Sequence, residues 1–361
     1  MIAAPRRRWG KPPIALTDIT EKPKNMNFTQ DKDKNRNLFL SSQFHDVDQY
    51  LEHIALMPQM DSDMIQLDKG PFHLFEQVFM FGDVGIVHLG SNKAVFERYS
   101  LSADHTLFGF TPPQGNVQSR WCGMVAPPDC VGIVHSNREY SGYAPSGHNV
   151  LDLIIPQTWL LEQGVVDERL WRNSLIPEKA IFPLPYQQAF RFRDILYNLV
   201  NNKSMQELLK QDQEMASLFR EWVLDEFLLL ITACFKVTNK KMRIASQSRF
   251  EIFQTAINMI DNQIMNPLST SNLALQIGTS PRSLQYAFQE NIGVTPLQYI
   301  LHRKLHAART QLQQKFSDTH ANVASIAMLY SMTHLGRFSL NYKSLFGELP
   351  SATLKQINAK N

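Results

Sequence analysis

The segment IGTSPRSLQYAFQENIGVTPLQYILHRKLHAAR, residues 277–309, decides how the C-terminal third of the chain folds. Gly278 ends a short apolar helix, because glycine readily adopts the left-handed conformation that closes a helix. Ser280 follows as the N-cap of a second helix. Leu284 and Phe288 stand four residues apart, so they share the buried side of that second helix. Two short helices joined by a tight glycine turn predict a helix-turn-helix unit.

The same landmarks recur later in the chain. The distance from Ala274 to Ala327 is 53 residues. It is 54 residues for each of four further pairs: Leu284 and Phe338, Phe288 and Tyr342, Gly293 and Gly347, Pro296 and Pro350. A constant offset indicates an internal repeat, and its second turn is one residue longer than its first. The sequence therefore predicts two helix-turn-helix units, at 271–292 and 323–346.

One amphipathic helix is predicted between the two units, over 295–314. Its apolar face carries Leu297, Ile300, Leu301, Leu305, Ala308 and Leu312. At about 1.5 Å per residue such a helix spans about 28 Å. Successive major grooves on one side of a DNA duplex are separated by ~34 Å. A strut of this length would let one polypeptide place both units in consecutive grooves.

The residues that contact DNA are predicted from the phase of the second helix in each unit. Recognition helices touch base edges with their N-terminal residues, where Arg suits guanine and Gln suits adenine. In the first unit the predicted contacts are Ser280, Arg282, Ser283, Gln285, Tyr286 and Gln289. In the second unit the groove-facing candidates are His334, Leu335, Arg337, Ser339, Leu340 and Asn341. Lys343 is predicted to contact a phosphate, which positions the protein without reading sequence.

These residues resemble the DNA-binding domain of the AraC/XylS family of bacterial transcription regulators. The resemblance rests on the segment quoted above and on IAMLYSMTHLGRFSLNYKSLFGELPSATL (326–354), and it covers about 250–357. It implies sequence-specific promoter binding, activation, RNA polymerase as a partner, and an N-terminal domain that senses a small-molecule effector or mediates dimerisation. One departure is Tyr330-Ser331-Met332, where the family commonly has Tyr-Gly-Phe. Serine enters the left-handed conformation less readily than glycine, so we expect the second turn to be either strained or differently shaped.

Charge is distributed unevenly along the chain. Residues 240–361 hold 13 Lys/Arg and 5 Asp/Glu, a net charge of +8. Residues 1–36 carry +5, and residues 37–239 carry −10. A basic C-terminal third beside an acidic body favours a protein of which one part meets a polyanion such as double-stranded DNA. Chance segregation of charge is the alternative.

The N-terminal two-thirds predicts a different architecture. Residues 1–36 are rich in Lys, Arg, Pro and Asn and indicate a disordered basic arm. Short apolar runs between Gly and Pro turns predict a β-rich, cupin-like or sandwich domain over 37–156, which we expect to sense the effector. Residues 157–236 have helical periodicity and either cover the β-rich domain or form a homodimer interface. A linker at 237–249 then leads to the DNA-binding domain at 250–357.

The predicted fold class is thus α+β and multidomain. It combines a β-rich N-terminal domain and a helical segment with an all-α domain of two helix-turn-helix units joined by a linker helix. Six aromatic residues could line a pocket in the β-rich domain, but we interpret them as core: Phe79, Phe81, Tyr99, Phe108, Phe110 and Trp121.

Enzymatic chemistry finds little support in the sequence. Five histidines of the β-rich region lack the His-x-His spacing with which a cupin strand aims two imidazoles at one metal ion. We interpret them as structural and predict no metal: His73, His88, His105, His135 and His148. Cys122 and Cys130 are interpreted as buried thiols. Phosphate-binding loops, nucleophile elbows and paired-histidine zinc helices are absent from the sequence, so neither a catalytic residue nor a cofactor is predicted.

Two other function classes stay open at this point. One is an enzyme with a cupin-like N-terminal domain that the C-terminal domain localises to DNA. The other is an architectural DNA protein without sequence preference, against which the Arg and Gln residues of the reading helices argue.

The sequence also predicts the cellular compartment of the protein. The longest apolar run, Phe227 to Phe235, is far shorter than the ~20 residues that span a bilayer. The first residues lack the apolar stretch of a secretory signal, and three cysteines are too few for a disulfide framework. We expect a cytoplasmic, nucleoid-associated protein that does not enter the membrane.

Overall fold

The computed structural model of the chain describes residues 37–56, 60–101, 105–110, 119–126, 130–136, 138–163, 181–237, 247–313 and 322–358. The predicted arm at 1–36 and the middle of the predicted linker, 238–246, lie outside the described residues. Within the described residues, two antiparallel sheets are followed by a helical C-terminal region, which confirms the predicted α+β class. None of the described helices combines the length and apolar character needed to cross a membrane.

The two sheets contain strands from the whole predicted β-rich region. The strands are β1 Leu38–Phe44, β2 Met60–Gln66, β3 Leu74–Phe81, β4 Val84–Ser91, β5 Val95–Leu101, β6 His105–Phe110, β7 Ser119–Trp121, β8 Met124–Ala126, β9 Cys130–Val134, β10 Glu139–Ala144, β11 Asn149–Pro156 and β12 Ile181–Pro183. The seven-stranded sheet has the order β1-β3-β4-β11-β6-β9-β12, and the five-stranded sheet β2-β5-β10-β7-β8. Cys122 and Cys130 are buried, as interpreted from the sequence.

The β-rich region also contains a helix that the sequence analysis missed. Helix α1 spans Val47–Ala55, and Asp46 caps it by accepting a hydrogen bond from the first turn. Tyr50, Leu51 and Ile54 form its buried side. The helical spacing of these residues was a usable signal, but the surrounding strand patterns obscured it.

Helices cover one face of the seven-stranded sheet. They are α2 Gln157–Glu162, α3 Tyr186–Asn201, α4 Lys203–Gln211 and α5 Gln213–Val237. The rings of Phe108 and Phe227 lie 4.6 Å apart, and those of Phe110 and Phe192 lie 5.2 Å apart. This packing corresponds to the covering role expected for 157–236. The expectation of a purely helical segment was wrong, because β12 pairs with β9 and three residues are too few to show an alternating pattern.

The C-terminal region is a succession of helices. They are α6 Gln247–Asn262, α7 Thr270–Ile277, α8 Pro281–Ile292, α9 Pro296–Gln313, α10 Val323–Leu329, α11 Leu335–Phe346 and α12 Pro350–Asn358. The predicted linker at 237–249 was wrong at both ends, because α5 includes Val237 and α6 begins at Gln247. Residues 247–249 carry no apolar side chain, so the sequence pattern does not place them in a helix. Helix α6 nevertheless begins at Gln247, N-terminal to Phe250, the first buried residue of its apolar face.

The five-stranded sheet packs its outer face against the C-terminal helices. Phe96 of β5 lies 5.5 Å from Phe253 of α6 and 6.0 Å from Tyr299 of α9, measured between ring centroids. One apolar cluster therefore runs from the sheet into the first helix-turn-helix unit.

Candidate nucleic-acid interface

The first unit closes its turn as the sequence predicts. Gly278 adopts φ 76°. The N–H of Thr279 donates to the carbonyl of Ala274 at 2.9 Å, which is the bond that closes a helix at a left-handed residue. Ser280 then caps α8, because its Oγ accepts the N–H of Ser283 at 3.0 Å. Local chemistry thus determines where α7 ends and where α8 begins.

The second unit makes the same closure with a different residue. Ser331 has φ 59°, and the N–H of Met332 donates to the carbonyl of Ala327 at 2.9 Å. The hydroxyl of Ser331 also donates to the carbonyl of Met265, a contact that glycine could not make. Ser331 thus adopts the left-handed conformation in spite of its side chain, so of the two expected outcomes the turn is strained and keeps its shape. Leu335, the first residue of α11, lies four positions after Ser331, which confirms the longer second turn.

Both units bury the side of the reading helix that the phase argument predicts. The alanines at the two helix crossings, Ala274 and Ala327, are fully buried. The buried residues are Leu284, Ala287 and Phe288 on α8, and Phe338, Tyr342 and Leu345 on α11. The opposite sides of α8 and α11 therefore face solvent.

The exposed side of α8 is polar. Arg282, Gln285, Tyr286 and Gln289 are all exposed. The Arg282 guanidinium donates to the Tyr286 hydroxyl at 3.0 and 3.2 Å and lies 5.5 Å from its ring centroid. The Gln289 amide donates to the carbonyl of Gly293 at 3.1 Å. Four of the six predicted residues thus share one outward face. Two of them, Arg282 and Tyr286, hold each other in place by the hydrogen bonds between them.

The remaining two predicted residues of this unit lie at the start of α8. The hydroxyl groups of Ser280 and Ser283 are 2.9 Å apart, and they form the cap described above. At a helix start, backbone N–H groups and the helix dipole together favour an anion such as a phosphate.

The exposed side of α11 is different in character. His334, Arg337 and Lys343 are exposed, whereas Ser339 and Asn341 are half-buried. The positions most directly opposite the buried side of α11 are Gly336, Leu340 and Lys343. Gly336 was missed by the sequence analysis, although the same helical phase would have placed it on this face.

The strut between the units, α9, has 18 residues, which corresponds to about 27 Å. Its predicted apolar face was wrong at Leu297, which is 62% exposed. The polar side of α9 is also buried, with His302, Arg303, Lys304, His306 and Arg309 all under 10% exposed.

Lys304 ties the two units together. Its Nζ donates to the carbonyl of Asn266, in the segment after α6, and to the carbonyl of Tyr330, in the turn of the second unit, at 2.8 Å each. The bond from Ser331 to Met265 joins the same two segments. The two reading helices are therefore connected through α9 and also across it.

An ionic network joins the first unit to the five-stranded sheet. Arg98 donates to Asp63 at 3.0 Å and also to Asp261 of α6. Arg303 of α9 donates to Asp261 at 2.8 Å and to Asp63 at 3.1 Å. Burial alone would lower the pKa of Arg303, but the two carboxylates raise it above its ordinary value. Two arginines and two carboxylates thus compensate each other in a site that excludes water.

The second unit is held by the N-terminal region through backbone carbonyls. The amide of Gln66 donates to the carbonyl of Leu345 at 2.9 Å, and the N–H of Gly70 donates to that of Ser344 at 3.0 Å. These acceptors lie in the last turn of α11, where helical carbonyls lack partners within the helix. The N-terminal region therefore supports the end of α11 that lies away from its reading residues.

A second polar site lies between the two sheets. On β11, Leu151, Leu153 and Ile155 face the covering helices and are fully buried, whereas Asp152 on the other side keeps some exposed surface. On β5, Glu97 likewise points between the sheets and accepts a hydrogen bond from the Ser62 hydroxyl at 2.8 Å. Asp152 and Glu97 thus form a polar site between the two sheets, which we call the inter-sheet site.

An aromatic side chain and two carboxyl groups lie together in this inter-sheet site. Trp121 lies across it against β9, where a Cβ at Gly132 would come within 0.9 Å of the indole ring. The four phenylalanines interpreted as core residues from the sequence do lie in the core. They are Phe79, Phe81, Phe108 and Phe110. Burial raises the pKa of Glu97 to about 7 and that of Asp152 to about 8. The inter-sheet site therefore contains two carboxyl groups that a positive charge would stabilise in their ionised form.

The five histidines show no shared site. His88 pairs with Gln77 at 2.9 Å, and His148 with Ser119 at 3.0 Å. Within the described residues, no group of three or more His, Cys, Asp or Glu side chains is arranged to hold a metal ion. The structure thus brings none of the five together as ligands of one ion.

Comparison with known proteins identifies the C-terminal region. A family model described as a helix-turn-helix domain matches residues 273–356. The XylDLEGF operon transcriptional activator of Pseudomonas putida is 43% identical over 107 residues, which is 29% of this chain and 32% of that protein. Over this domain, the chain is similar to a curated bacterial transcriptional activator.

Two further transcription regulators match a similar share of the chain. The HTH-type transcriptional regulator ArgR of Pseudomonas aeruginosa is 26% identical over 125 residues, which is 34% of this chain and 37% of that protein. A crystal structure of a Chromobacterium violaceum transcriptional regulator with an AraC-type DNA-binding domain is 26% identical and covers 31% of this chain and 96% of that one, with a TM-score of 0.28. The chain spans about a third of the length of the curated relatives it matches.

Proposed function

We propose that the protein is a sequence-specific DNA-binding transcription regulator, and that it acts as an activator. The observation that carries this proposal is the pair of reading helices, α8 and α11, each exposed opposite its own core and both fixed to one strut. A strut of about 27 Å suits two probes that enter consecutive major grooves.

The proposed contacts divide by chemistry. Arg282, Gln285, Tyr286 and Gln289 are proposed to meet base edges, since α8 presents them together on its solvent side. Ser280 and Ser283 would hold a phosphate at the start of α8. In the second unit the proposed contacts are His334, Arg337, Ser339 and Asn341, with Lys343 on a phosphate.

The test is selection of binding sites from random duplex with the full-length protein, followed by footprinting on the selected operator. We expect protection of two major-groove segments about one helical turn apart on one side of the duplex. Protection of a single segment would contradict the bipartite mode. Equal affinity for the operator and for random duplex would contradict sequence-specific regulation and favour an architectural role.

We further propose that the inter-sheet site binds the effector, and that this effector carries a positive charge or several hydrogen-bond donors. Glu97 and Asp152 point into it, and the aromatic ring of Trp121 supplies a surface that attracts cations. Burial raises the pKa of both carboxyl groups, so a cationic group beside them would favour their ionised forms.

Thermal unfolding in the presence of matched small molecules tests this effector site. Benzylamine, benzyl alcohol and benzoate present the same ring with a positive, neutral or negative group. We expect benzylamine alone to raise the midpoint temperature, and Asp152→Asn to remove that effect. A shift with benzoate of equal size would contradict the proposed charge preference.

A homodimer interface on α5 is proposed from its exposed apolar residues. The residues are Met215, Leu218, Trp222 and Leu229, which follow one side of the helix. Contiguous apolar surface of this kind marks interaction sites. Sedimentation velocity should show a dimer that Trp222→Glu converts to a monomer, and a monomeric wild type would contradict the proposal.

Other parts of the function follow from the regulator role. RNA polymerase is the proposed partner in activation, and the cytoplasmic nucleoid the proposed location. The proteins matched by the C-terminal domain are transcription regulators, so we propose regulation and not catalysis. Bound metal or turnover in the purified protein would instead favour the enzyme alternative.

A further inference from the structure

Two residues of α11 are unfavourable choices that the fold does not explain. Gly336 has an ordinary helical backbone, since it is not among the glycines with positive φ. Among the described residues, no atom lies within 4 Å of the place where its Cβ would be. Glycine is nearly the least favourable residue inside a helix. Neither backbone conformation nor packing within the protein therefore requires a glycine here.

Leu340 is the second of these residues. Its side chain is 72% exposed, although the helix has a well-formed buried side. Single exposed leucines are common on protein surfaces. Leu340, however, lies one turn after Gly336 on the same face, directly opposite the buried Phe338 and Tyr342. Departures from local preference that cluster on one face are expected at functional sites.

The repeat shows what this face corresponds to in the first unit. With the offset of 54 residues, Gly336 matches Arg282 and Leu340 matches Tyr286. Arg282 and Tyr286 are the hydrogen-bonded pair at the centre of the α8 reading face. The second unit thus has a bare backbone and an apolar side chain where the first has a polar pair.

The major groove contains one apolar group that such a surface would recognise. Thymine carries a C5-methyl group at its major-groove edge, whereas guanine, adenine and cytosine present donors and acceptors there. A glycine lets the helix backbone come close to the base edges, and a leucine one turn further on can then contact a methyl group. Arg337 and Lys343 around this face supply positive charge for the flanking phosphates.

We propose that Leu340 reads a thymine methyl group in the second half of the operator, with Gly336 providing the space for close approach. This inference rests on the proposed function, because it requires α11 to lie in the major groove. The two units then divide the work: the first reads by hydrogen bonds, and the second reads by apolar contact.

Replacement of thymine by deoxyuridine tests the proposal directly, since uracil keeps every hydrogen-bonding group and lacks only the methyl. Each thymine of the selected operator is replaced in turn, and the affinity of the full-length protein is measured by fluorescence anisotropy. We expect one thymine in the second protected segment to lose about fourfold in affinity, the effect of one buried methyl-sized group. Leu340→Ala should bind both duplexes equally.

Matched controls separate this inference from the proposed function. Leu297→Ala removes another strongly exposed leucine of the same domain and should keep the full preference for thymine. Gly336→Ala should fold normally and weaken binding to the operator. If the protein binds the operator but the deoxyuridine scan is flat in the second segment, or Leu340→Ala keeps the preference, the Leu340 inference is wrong. If no operator can be selected, the proposed function itself fails.

Discussion

The two helix-turn-helix units are alike in their buried positions and their turns, but they differ in the exposed faces of their reading helices. The buried Leu284 and Phe288 of α8 correspond to the buried Phe338 and Tyr342 of α11, and both turns close through a left-handed residue with the same backbone hydrogen bond. Their exposed faces share almost nothing, since α8 is polar at its centre and α11 is bare and apolar there. Packing fixes the first set of positions, whereas only the ligand constrains the second.

The supports of the two units differ as well. A buried ionic network holds the first unit against the five-stranded sheet. Hydrogen bonds to helical carbonyls hold the second, together with Arg309 of α9, which pairs with Asp46, Asp48 and Glu348. The carboxylates of the first network are more deeply buried, and charges without partners are costly to bury, so damage to the first support should have the larger effect.

Asp261→Ala is expected to have the largest effect. It leaves Arg98 and Arg303 buried with Asp63 as the only carboxylate of the network. We expect the free energy of unfolding to fall by about 3–5 kcal/mol, measured by urea denaturation. Hydrogen exchange should rise in α6 to α8 before α10 and α11.

Glu251→Ala is the matched control, because Glu251 is an exposed carboxylate on the same helix. Its effect should stay within about 0.5 kcal/mol. Uniform loss of protection across both units in Asp261→Ala would show that the network does not favour the first unit.

Lys304→Met tests whether the two units are tied to each other. It leaves the carbonyls of Asn266 and Tyr330 without their donor, so the free energy of unfolding should fall by about 2 kcal/mol. Affinity should also become less sensitive to one base pair inserted between the operator halves, because the reading helices can then move apart. Lys355→Met, at an exposed lysine of α12, should change neither quantity.

Arg282→Ala and Lys343→Ala compare the reading chemistry of the two units. Loss of Arg282 should cost about 1–3 kcal/mol in operator binding and relax preference at one base position. Loss of Lys343 should weaken binding to all sequences alike and reduce the salt dependence by about one phosphate contact. Equal losses on operator and random duplex for Arg282→Ala would remove Arg282 from the base-reading residues.

Sequence alone was sufficient where local chemistry decides the structure. The cap at Ser280, the turn at Gly278, the longer turn at Ser331 and the buried Leu284 all follow from propensity and helical period. It was insufficient where partners come from far along the chain. The polar side of α9 is buried because Arg303 meets Asp63, 240 residues away, and no pattern within the helix announces that partner. Gly336 was missed for another reason: glycine has no side chain that could contact a base, so only its place on the helix face indicates a contribution.

The smallest effect is expected at the one position where the two turns differ. Ser331→Gly removes the strain of a left-handed serine, worth about 1 kcal/mol, and also removes the hydrogen bond to Met265, worth about 1 kcal/mol. These contributions oppose each other, so the free energy of unfolding should change by less than about 0.5 kcal/mol. Ser331→Ala keeps the strain and loses the bond, and should therefore be less stable than Ser331→Gly by about 1 kcal/mol.

The reciprocal change, Gly278→Ser, separates the two contributions. A serine there acquires the strain, and the open space around Gly278 offers its hydroxyl no neighbour among the described residues. It should cost about 1 kcal/mol, measured by urea denaturation beside the two Ser331 variants. If Gly278→Ser were neutral, left-handed strain would be unimportant in these turns. The serine of the second unit would then owe its place to the Met265 bond alone, and Ser331→Gly should be as destabilising as Ser331→Ala.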